Sequence, residues 1–207
     1  MSLLALLLAA GCAAQTSPAP SLERSLPDAR LLVQRARALD EDFGPAPEGD
    51  LPNFHEVEPG FYRLAQPTTE GLRRLKRDYR VRTVLTLRLA AGDEREEVLR
   101  LGMTPKHVSM LGVLAPRFSE VDRALAVLKD RALRPIAVHC AHGRDRTGTV
   151  VAAYQVVVLG RSVREAADEA KAIGCCPVTW RAPLEKYLDA YRRHAAGDKS
   201  AVEPDEQ

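Results

Sequence analysis

The amino-acid sequence predicts a single α/β domain, in which a mostly parallel sheet is flanked by helices on both of its faces. Short β-branched or apolar runs alternate with helical spacings between Leu51 and His194, which is the pattern of repeated strand–helix units. Residues 135–139 form an apolar run that ends at a histidine, as in a central parallel strand buried on both sides. Residues 147–159 are nearly all apolar and predict a buried helix. Functional residues in such folds lie beyond the carboxyl ends of the strands.

The other elements follow from local signals along the chain. A β-branched run at 81–87 predicts a strand, and Gly102 is expected to end the helix that comes after it. Ser119 and Ser162 each precede a helical spacing and are expected to cap a helix. We expect strands at 60–63, 81–87, 106–110 and 135–139, and helices at 70–79, 93–101, 120–130, 147–159, 163–172 and 181–193.

Composition and charge exclude several classes of protein. The chain has 207 residues, 45% of them hydrophobic, which suits one folded domain of ordinary size. The 30 Lys and Arg residues nearly balance 28 Asp and Glu residues, for a net charge of +2, so a general nucleic-acid surface is not expected. Four cysteines are too few for a disulfide scaffold, and no Cys/His spacing is typical of a metal site. The sequence therefore predicts neither a metal nor a cofactor.

The first residues have the pattern of an export signal. The apolar run Leu3–Ala10 is shorter than the roughly 20 residues that span a bilayer, and small residues precede Cys12. Residues 1–11 resemble a bacterial lipoprotein signal, which implies that Cys12 is lipidated and that the protein lies on the periplasmic side of a membrane. The alternative is an N-terminal helix docked on the domain, in which case the protein would be cytoplasmic.

The remaining terminal segments are expected to lie outside the domain. Residues 12–50 are interpreted as a tether that contains a peripheral helix at 29–43. The domain itself is expected at 51–194. Residues 195–207 carry four acidic residues and little that is apolar, which predicts a disordered tail.

A loop that follows the predicted central strand carries the chemistry. Residues 139–148 read HCAHGRDRTG and connect a buried strand to the first turn of a buried helix. Gly143 permits a tightly curved backbone, so successive N–H groups and the helix N-terminus would converge on one anion. The same field would favour a thiolate at Cys140, and Arg146 offers two donors to phosphoryl oxygens. This arrangement suits phosphoryl transfer to sulfur, followed by hydrolysis of the thiophosphate.

The loop resembles the signature loop of the cysteine-dependent protein-tyrosine and dual-specificity phosphatases, His-Cys, five residues, Arg, Ser or Thr, Gly. The resemblance covers about 53–191, and over this range the chain is similar to the compact atypical dual-specificity branch of plants, fungi and bacteria. The segments that carry it upstream are 53–57, 59–63, 66–67 and 81–88. It implies that Cys140 is the nucleophile, that Arg146 binds the phosphate and that His139 tunes the thiolate. It also implies that the phosphoryl group is held by the backbone amides from Ala141 through His142, Gly143 and Arg144 to Arg146, and Thr147 could donate to the sulfur of Cys140.

The general acid is harder to place. Phosphatases of this type usually carry an Asp on a mobile loop, but residues 110–117 contain no carboxylate. An alkoxide leaving group needs a proton far more than a phenolate does. Asp145 lies directly before the arginine, as in myotubularin-type lipid phosphatases, where an Asp at that place serves as the acid. The alternatives are that Glu120 is the acid, or that Asp145 only holds Arg144 or Arg146 in place.

Several further residues could shape the pocket. His142, Arg144 and Arg88 are expected to form a basic rim that would suit a substrate with several phosphates, although ordinary solvated charges would look the same. Arg63 and Gln66 could border the pocket or serve a turn.

A pair of adjacent cysteines lies in a later loop. Cys175 and Cys176 are expected to be free thiols, and in an oxidising periplasm either could cross-link to Cys140.

These observations predict a cysteine phosphatase that needs no metal. It would hydrolyse phosphomonoesters of a phosphorylated protein (phosphotyrosine, phosphoserine or phosphothreonine) or of a small molecule such as an inositol phosphate, through a cysteinyl-phosphate intermediate. One alternative is a pseudophosphatase that binds phosphate without turnover. Another is a rhodanese-like sulfurtransferase or an arsenate reductase, which the Arg-Thr-Gly continuation of the loop disfavours.

Overall fold

A computed structural model of the chain describes residues 48–112, 114–176 and 183–203. The strands are β1 (His55–Glu58), β2 (Phe61–Leu64), β3 (Thr83–Thr86), β4 (Thr104–His107) and β5 (Ile136–His139). The helices are α1 (Thr69–Asp78), α2 (Glu94–Arg100), α3 (Phe118–Lys129), α4 (Asp145–Val157), α5 (Val163–Ala172) and α6 (Leu184–Ala195), with a 3₁₀ turn at Arg131–Leu133.

The five strands form one sheet in the order β1-β2-β5-β3-β4. Strand β5 pairs in parallel with β2 and with β3, and β3 pairs in parallel with β4. The register places Leu64 and Thr86 on either side of His139, so the three central strands end together. The segments that follow these strands therefore share one edge of the sheet, which is where the site lies.

Helices cover both faces of the sheet. Leu85 and Val138 belong to the larger core, which also contains residues of α3, α4, α5 and α6. Their strand neighbours Val84 and Ala137 belong to a smaller core with residues of α1 and α2. Successive strand residues point to opposite faces, so this division confirms the predicted α/β fold.

Several element boundaries differ from the prediction. Strand β4 lies at 104–107 rather than 106–110, because its register follows β3, whose Thr86 pairs with His107. Helix α3 is capped at Arg117 rather than Ser119, since the Glu120 carboxylate accepts the Arg117 amide at 2.8 Å. Helix α4 begins at Asp145, two residues before the predicted start.

Strand β1 was not expected from the sequence. It reads His-Glu-Val-Glu, and none of its residues is buried, so it lacks the apolar signal that predicts a strand. It pairs antiparallel with β2, and that pairing alone makes it a strand.

The structure describes most of the C-terminal segment but little of the N-terminal one. The predicted signal 1–11, Cys12 and nearly all of the tether lie outside the described residues. Residues 196–203 are described and return to the domain, where the Phe118 amide donates to Glu203 Oε1 at 2.6 Å. A carboxylate is stabilised at a helix N-terminus, and this contact ties that part of the expected disordered tail to α3. No helix among the described residues has the length and apolar character needed to cross a bilayer.

Candidate active site

Cys140 lies directly after β5 and is 2% exposed. The Gly143 amide donates to its Sγ at 3.2 Å, so the loop curls back over the sulfur. Gly143 has φ +67°, and a Cβ there would lie 2.6 Å from the Leu64 carbonyl and the Ala65 amide. Only glycine fits this left-handed position against the end of β2.

The carbonyls of the loop are held from outside. Three consecutive ones accept hydrogen bonds from residues around β2. The pairs are Gln66 N to Ala141 O (3.0 Å), Asn53 Nδ2 to His142 O (3.3 Å) and Arg63 Nη2 to Gly143 O (2.7 Å). In a trans peptide the N–H points opposite to the C=O, so the amides of residues 142–144 face the other way. The Gly143 contact with the sulfur agrees with this direction, and the loop is thereby a preformed anion cradle.

Arg63 supports this cradle from below. Its side chain is 1% exposed, so it does not border the pocket as one sequence interpretation had it. Burial lowers its pKa to about 10, while Cys140 and Glu169 act in the opposite direction. Arg63 therefore remains a cation at neutral pH.

Arg146 stands in the first turn of α4 and is 4% exposed. Its Nη1 donates to the Met110 carbonyl at 3.3 Å. Gly112 packs against the guanidinium, since a Cβ there would lie 3.2 Å from Nη2 and 3.3 Å from Cζ. Residues 110–112, which contain no carboxylate, thus position the predicted phosphate-binding arginine.

Thr147 follows Arg146 and is fully buried. Its hydroxyl has no hydrogen-bond partner among the residues that the structure describes. The predicted hydrogen bond to the Cys140 sulfur is not formed here, and the orphaned hydroxyl is available for it.

Asp145, the first residue of α4, accepts the Cys176 amide at 2.6 Å through Oδ1. Burial raises the pKa of its carboxyl, and the Cys176 amide, the His142 ring and the charges of Arg146 and Arg144 only partly oppose that rise. A raised pKa is what a proton donor near neutral pH requires. Glu120, the alternative acid, uses its carboxylate to cap α3.

The expected basic rim is only partly present. His142 is 8% exposed, and its ring acts on the half-buried Asp145 carboxyl, so it is not a solvated rim residue. Arg144 is exposed. Arg88 is partly buried, and its Nη1 donates to Gln66 Oε1 at 3.0 Å.

His139 has a partner that the sequence did not indicate. It is fully buried, its Nε2 lies 3.0 Å from Glu94 Oε1, and its Nδ1 lies 3.2 Å from the Cys140 carbonyl. Burial alone would raise the pKa of Glu94, but the charge of His139 and hydrogen bonds from His139 and Gln66 hold it below its ordinary value. Glu94 comes from α2, 45 residues before His139, and no spacing or motif pointed to it.

Cys175 and Cys176 form a disulfide with each other, while Cys140 is a free thiol. The expectation of two free thiols is therefore wrong, since the turn at Cys176 (φ +72°) places adjacent sulfurs together. The pair packs against α4, where a Cβ on Gly148 would lie 2.8 Å from Cys175 Sγ. Donor atoms of Asp145, Cys175 and Cys176 lie within 4.8 Å of one another, but sulfurs joined in a disulfide are not thiolate metal ligands.

The chain is similar to phosphatases of known sequence and structure. It shares 31% identity over 121 residues with the dual specificity protein phosphatase TpbA of Pseudomonas aeruginosa, covering 56% of this chain and 52% of TpbA. The match thus spans about half the length of that curated relative. The crystal structure of P. aeruginosa TpbA superposes with a TM-score of 0.59 at 25% identity, over 73% of this chain and 96% of that chain. The core catalytic domain of the PP-IP phosphatase SIW14 from S. cerevisiae has the same fold, with a TM-score of 0.62 at 21% identity over 74% of this chain and 91% of that chain.

A family profile described as "DSP-PTPase phosphatase fused to NAD+ Kinase" matches residues 48–177, which is more than half of the chain. The chain belongs to that family, and with it to the superfamily of cysteine-based protein-tyrosine and dual-specificity phosphatases.

Proposed function

We propose that this domain hydrolyses phosphomonoesters through a cysteinyl-phosphate intermediate on Cys140. The observation that carries the proposal is the Gly143 amide directed at the Cys140 sulfur, in a loop whose carbonyls are held on the other side. Such a loop stabilises an anion at the sulfur and at the oxygens of a phosphoryl group bound over it. Arg146, placed by residues 110–112, would bind two of those oxygens.

The chemistry would proceed in two steps. The Cys140 thiolate attacks phosphorus, the S–P bond forms as the P–O bond to the leaving group breaks, and Asp145 gives its proton to the leaving oxygen. Asp145, now ionised, then accepts a proton from water as that water attacks phosphorus. The S–P bond breaks, inorganic phosphate leaves, and the thiolate is restored. Support for Asp145 in this role is its raised pKa at the start of α4.

The substrate class is proposed from the site and from relatives together. TpbA has been crystallised with phosphotyrosine, PTPMT1 with PI(5)P, and SIW14 is described as a PP-IP phosphatase. Related domains thus act on or bind both aryl phosphates and phosphorylated inositols. We propose that the substrate here is a phosphorylated protein or a small phosphorylated molecule of one of these kinds. Phosphate release from a panel of phosphopeptides, nucleotides and inositol phosphates would identify it.

Cys140→Ser tests the function itself. The variant is expected to lose turnover while it still binds tungstate in calorimetry, because the amides and Arg146 remain in place. Rapid quench of the parent enzyme should trap a phosphorylated cysteine, and EDTA should leave its rate unchanged. A parent protein that binds tungstate but releases no phosphate would be a pseudophosphatase. Turnover of thiosulfate or arsenate without phosphatase activity would favour the sulfurtransferase or reductase alternative.

We also propose attachment to a membrane through a lipidated Cys12. The support is the apolar run Leu3–Ala10 followed by small residues and Cys12. Cys12→Ala should move the full chain from the membrane fraction to the soluble fraction and should abolish labelling with a fatty acid. A wild-type chain that is unlabelled and cytoplasmic would contradict the proposal.

A further inference from the structure

Four polar side chains form a continuous path from Cys140 to the end of β3. His139 Nε2 lies 3.0 Å from Glu94 Oε1, the other carboxylate oxygen of Glu94 accepts from Gln66 Nε2, and Arg88 Nη1 donates to Gln66 Oε1 at 3.0 Å. Glu94 joins two arms of this path, because each of its oxygens has a different partner. The first arm runs through His139 to Cys140, and the second runs through Gln66 to Arg88.

The first arm fixes the state of His139. Both ring nitrogens face oxygen acceptors, Nε2 the Glu94 carboxylate and Nδ1 the Cys140 carbonyl. A neutral imidazole has only one N–H, so only the imidazolium can donate to both. His139 is fully buried, and a cation there needs a counter-charge. Glu94 supplies that charge directly behind the nucleophile.

The second arm orients the Gln66 amide between Glu94 and Arg88. An ionised carboxylate only accepts hydrogen bonds, so Gln66 must turn its NH₂ group toward Glu94. Its carbonyl oxygen is thereby left facing Arg88, whose guanidinium can only donate. The ionised state of Glu94 thus sets the orientation of the Gln66 amide, whose oxygen accepts a hydrogen bond from Arg88.

We propose that Glu94 is a positioning residue of this site, which holds His139 as a buried cation behind Cys140 and orients Gln66 to hold Arg88, the predicted substrate-binding arginine. The proposal rests on the proposed phosphatase function. It assigns to α2, a helix with no part in the signature loop, an influence on both the nucleophile and that arginine.

Glu94→Gln tests the proposal with little change in shape, and Glu97→Gln is its matched control. Glu97 lies one turn along α2, is 7% exposed, and pairs with Arg73 and Arg100 instead of the site. Glu94→Gln should lower kcat/KM by about 10- to 100-fold, the range of a lost charge-assisted hydrogen bond. Because it disturbs both arms, kcat should fall and KM should rise. Glu97→Gln should change neither by more than about twofold.

The ¹⁵N NMR signals of the His139 ring give a readout that does not depend on turnover. The wild-type ring and the Glu97→Gln ring should show two protonated nitrogens, whereas the Glu94→Gln ring should show one. Unchanged His139 signals in Glu94→Gln, or kinetic losses equal to those of Glu97→Gln, would overturn the proposal. If the wild type hydrolyses no phosphomonoester, the proposed function fails, while the ring signals still decide the role of Glu94.

Gln66→Ala separates the two arms and covers the case in which Glu94→Gln does not fold. It leaves the Gln66 backbone amide on Ala141 and removes the side chain that links Glu94 to Arg88. KM should rise roughly tenfold with kcat retained and with two protonated His139 nitrogens. A fall in kcat without a change in KM would contradict the proposed arm to Arg88.

Discussion

Two partly buried carboxyl groups belong to the site, and their surroundings have opposite effects on them. Glu94, beside the strand end, accepts from the His139 ring and from Gln66, and its pKa lies below the ordinary value in spite of burial. Asp145, beside the helix start, accepts one backbone amide, and burial raises its pKa. Burial disfavours both anions, so the number and charge of the donors decide the outcome. Two acids of one site with pKa values pushed apart suit two roles, here a permanent anion at Glu94 and a proton carrier at Asp145.

The largest expected effect comes from Asp145→Asn. The variant keeps an oxygen for the Cys176 amide but cannot give a proton, so hydrolysis of alkyl phosphates should fall by roughly 10²–10⁴-fold. Hydrolysis of p-nitrophenyl phosphate should fall much less, because its leaving group needs little protonation. Steady-state rates on both substrates check this. Equal losses on the two, or a larger loss in Glu120→Gln, would remove Asp145 from the role of acid.

The signature loop packs closely against the end of β2 at Gly143. Gly143→Ala tests whether this packing holds the loop in place. Gly143 and Gly160 have nearly the same φ, +67° and +69°, but a Cβ at Gly160 meets nothing within 4 Å. Gly160→Ala should cost about 1–2 kcal/mol of unfolding free energy from the left-handed backbone alone. Gly143→Ala should cost about 1–3 kcal/mol more from overpacking against Leu64 and Ala65, and should lose tungstate binding. Urea unfolding measures both, and similar losses would show that the loop can move away from β2.

The smallest expected effect is on the pH dependence of stability. It tests most directly whether folding shifts the pKa values of Glu94 and Asp145 in opposite directions. The pKa of Glu94 is lower in the folded state, so its stabilising contribution is present above the ordinary value of 4.5 and is lost as the pH falls through the folded value. The pKa of Asp145 is higher in the folded state, so its ionisation favours unfolding as the pH rises from the ordinary value of 3.8 through the folded value.

Melting temperatures followed with pH should therefore diverge in opposite directions for the two variants. Relative to wild type, Asp145→Asn should gain stability as the pH rises above 3.8. Glu94→Gln should lose stability relative to wild type as the pH rises from the folded pKa of Glu94 toward 4.5. Curves that run parallel to wild type would show that folding shifts the pKa of neither carboxyl.

The sequence alone determined the fold class and the loop that carries the chemistry. Buried strands and helices produce a periodic pattern of apolar residues in the sequence, because burial of a regular element selects apolar side chains at regular positions. The loop from Cys140 to Arg146 is one contiguous segment between two such elements. Its residue types and spacing could therefore be identified from the sequence without knowledge of the fold. Helix starts were less certain: α3 is capped at Arg117 rather than at Ser119, and α4 begins at Asp145, before the apolar run that predicted it.

Only the tertiary structure decided what supports the loop. Asn53, Arg63 and Glu94 reach it from segments that lie 45 to 90 residues earlier in the chain, and the order β2-β5-β3 brings them to one edge of the sheet. The pairing of Cys175 with Cys176 and the burial of His142 were likewise settled by packing. A hydrogen bond between distant residues leaves no periodic trace in the sequence, because its geometry exists only after the strands are aligned.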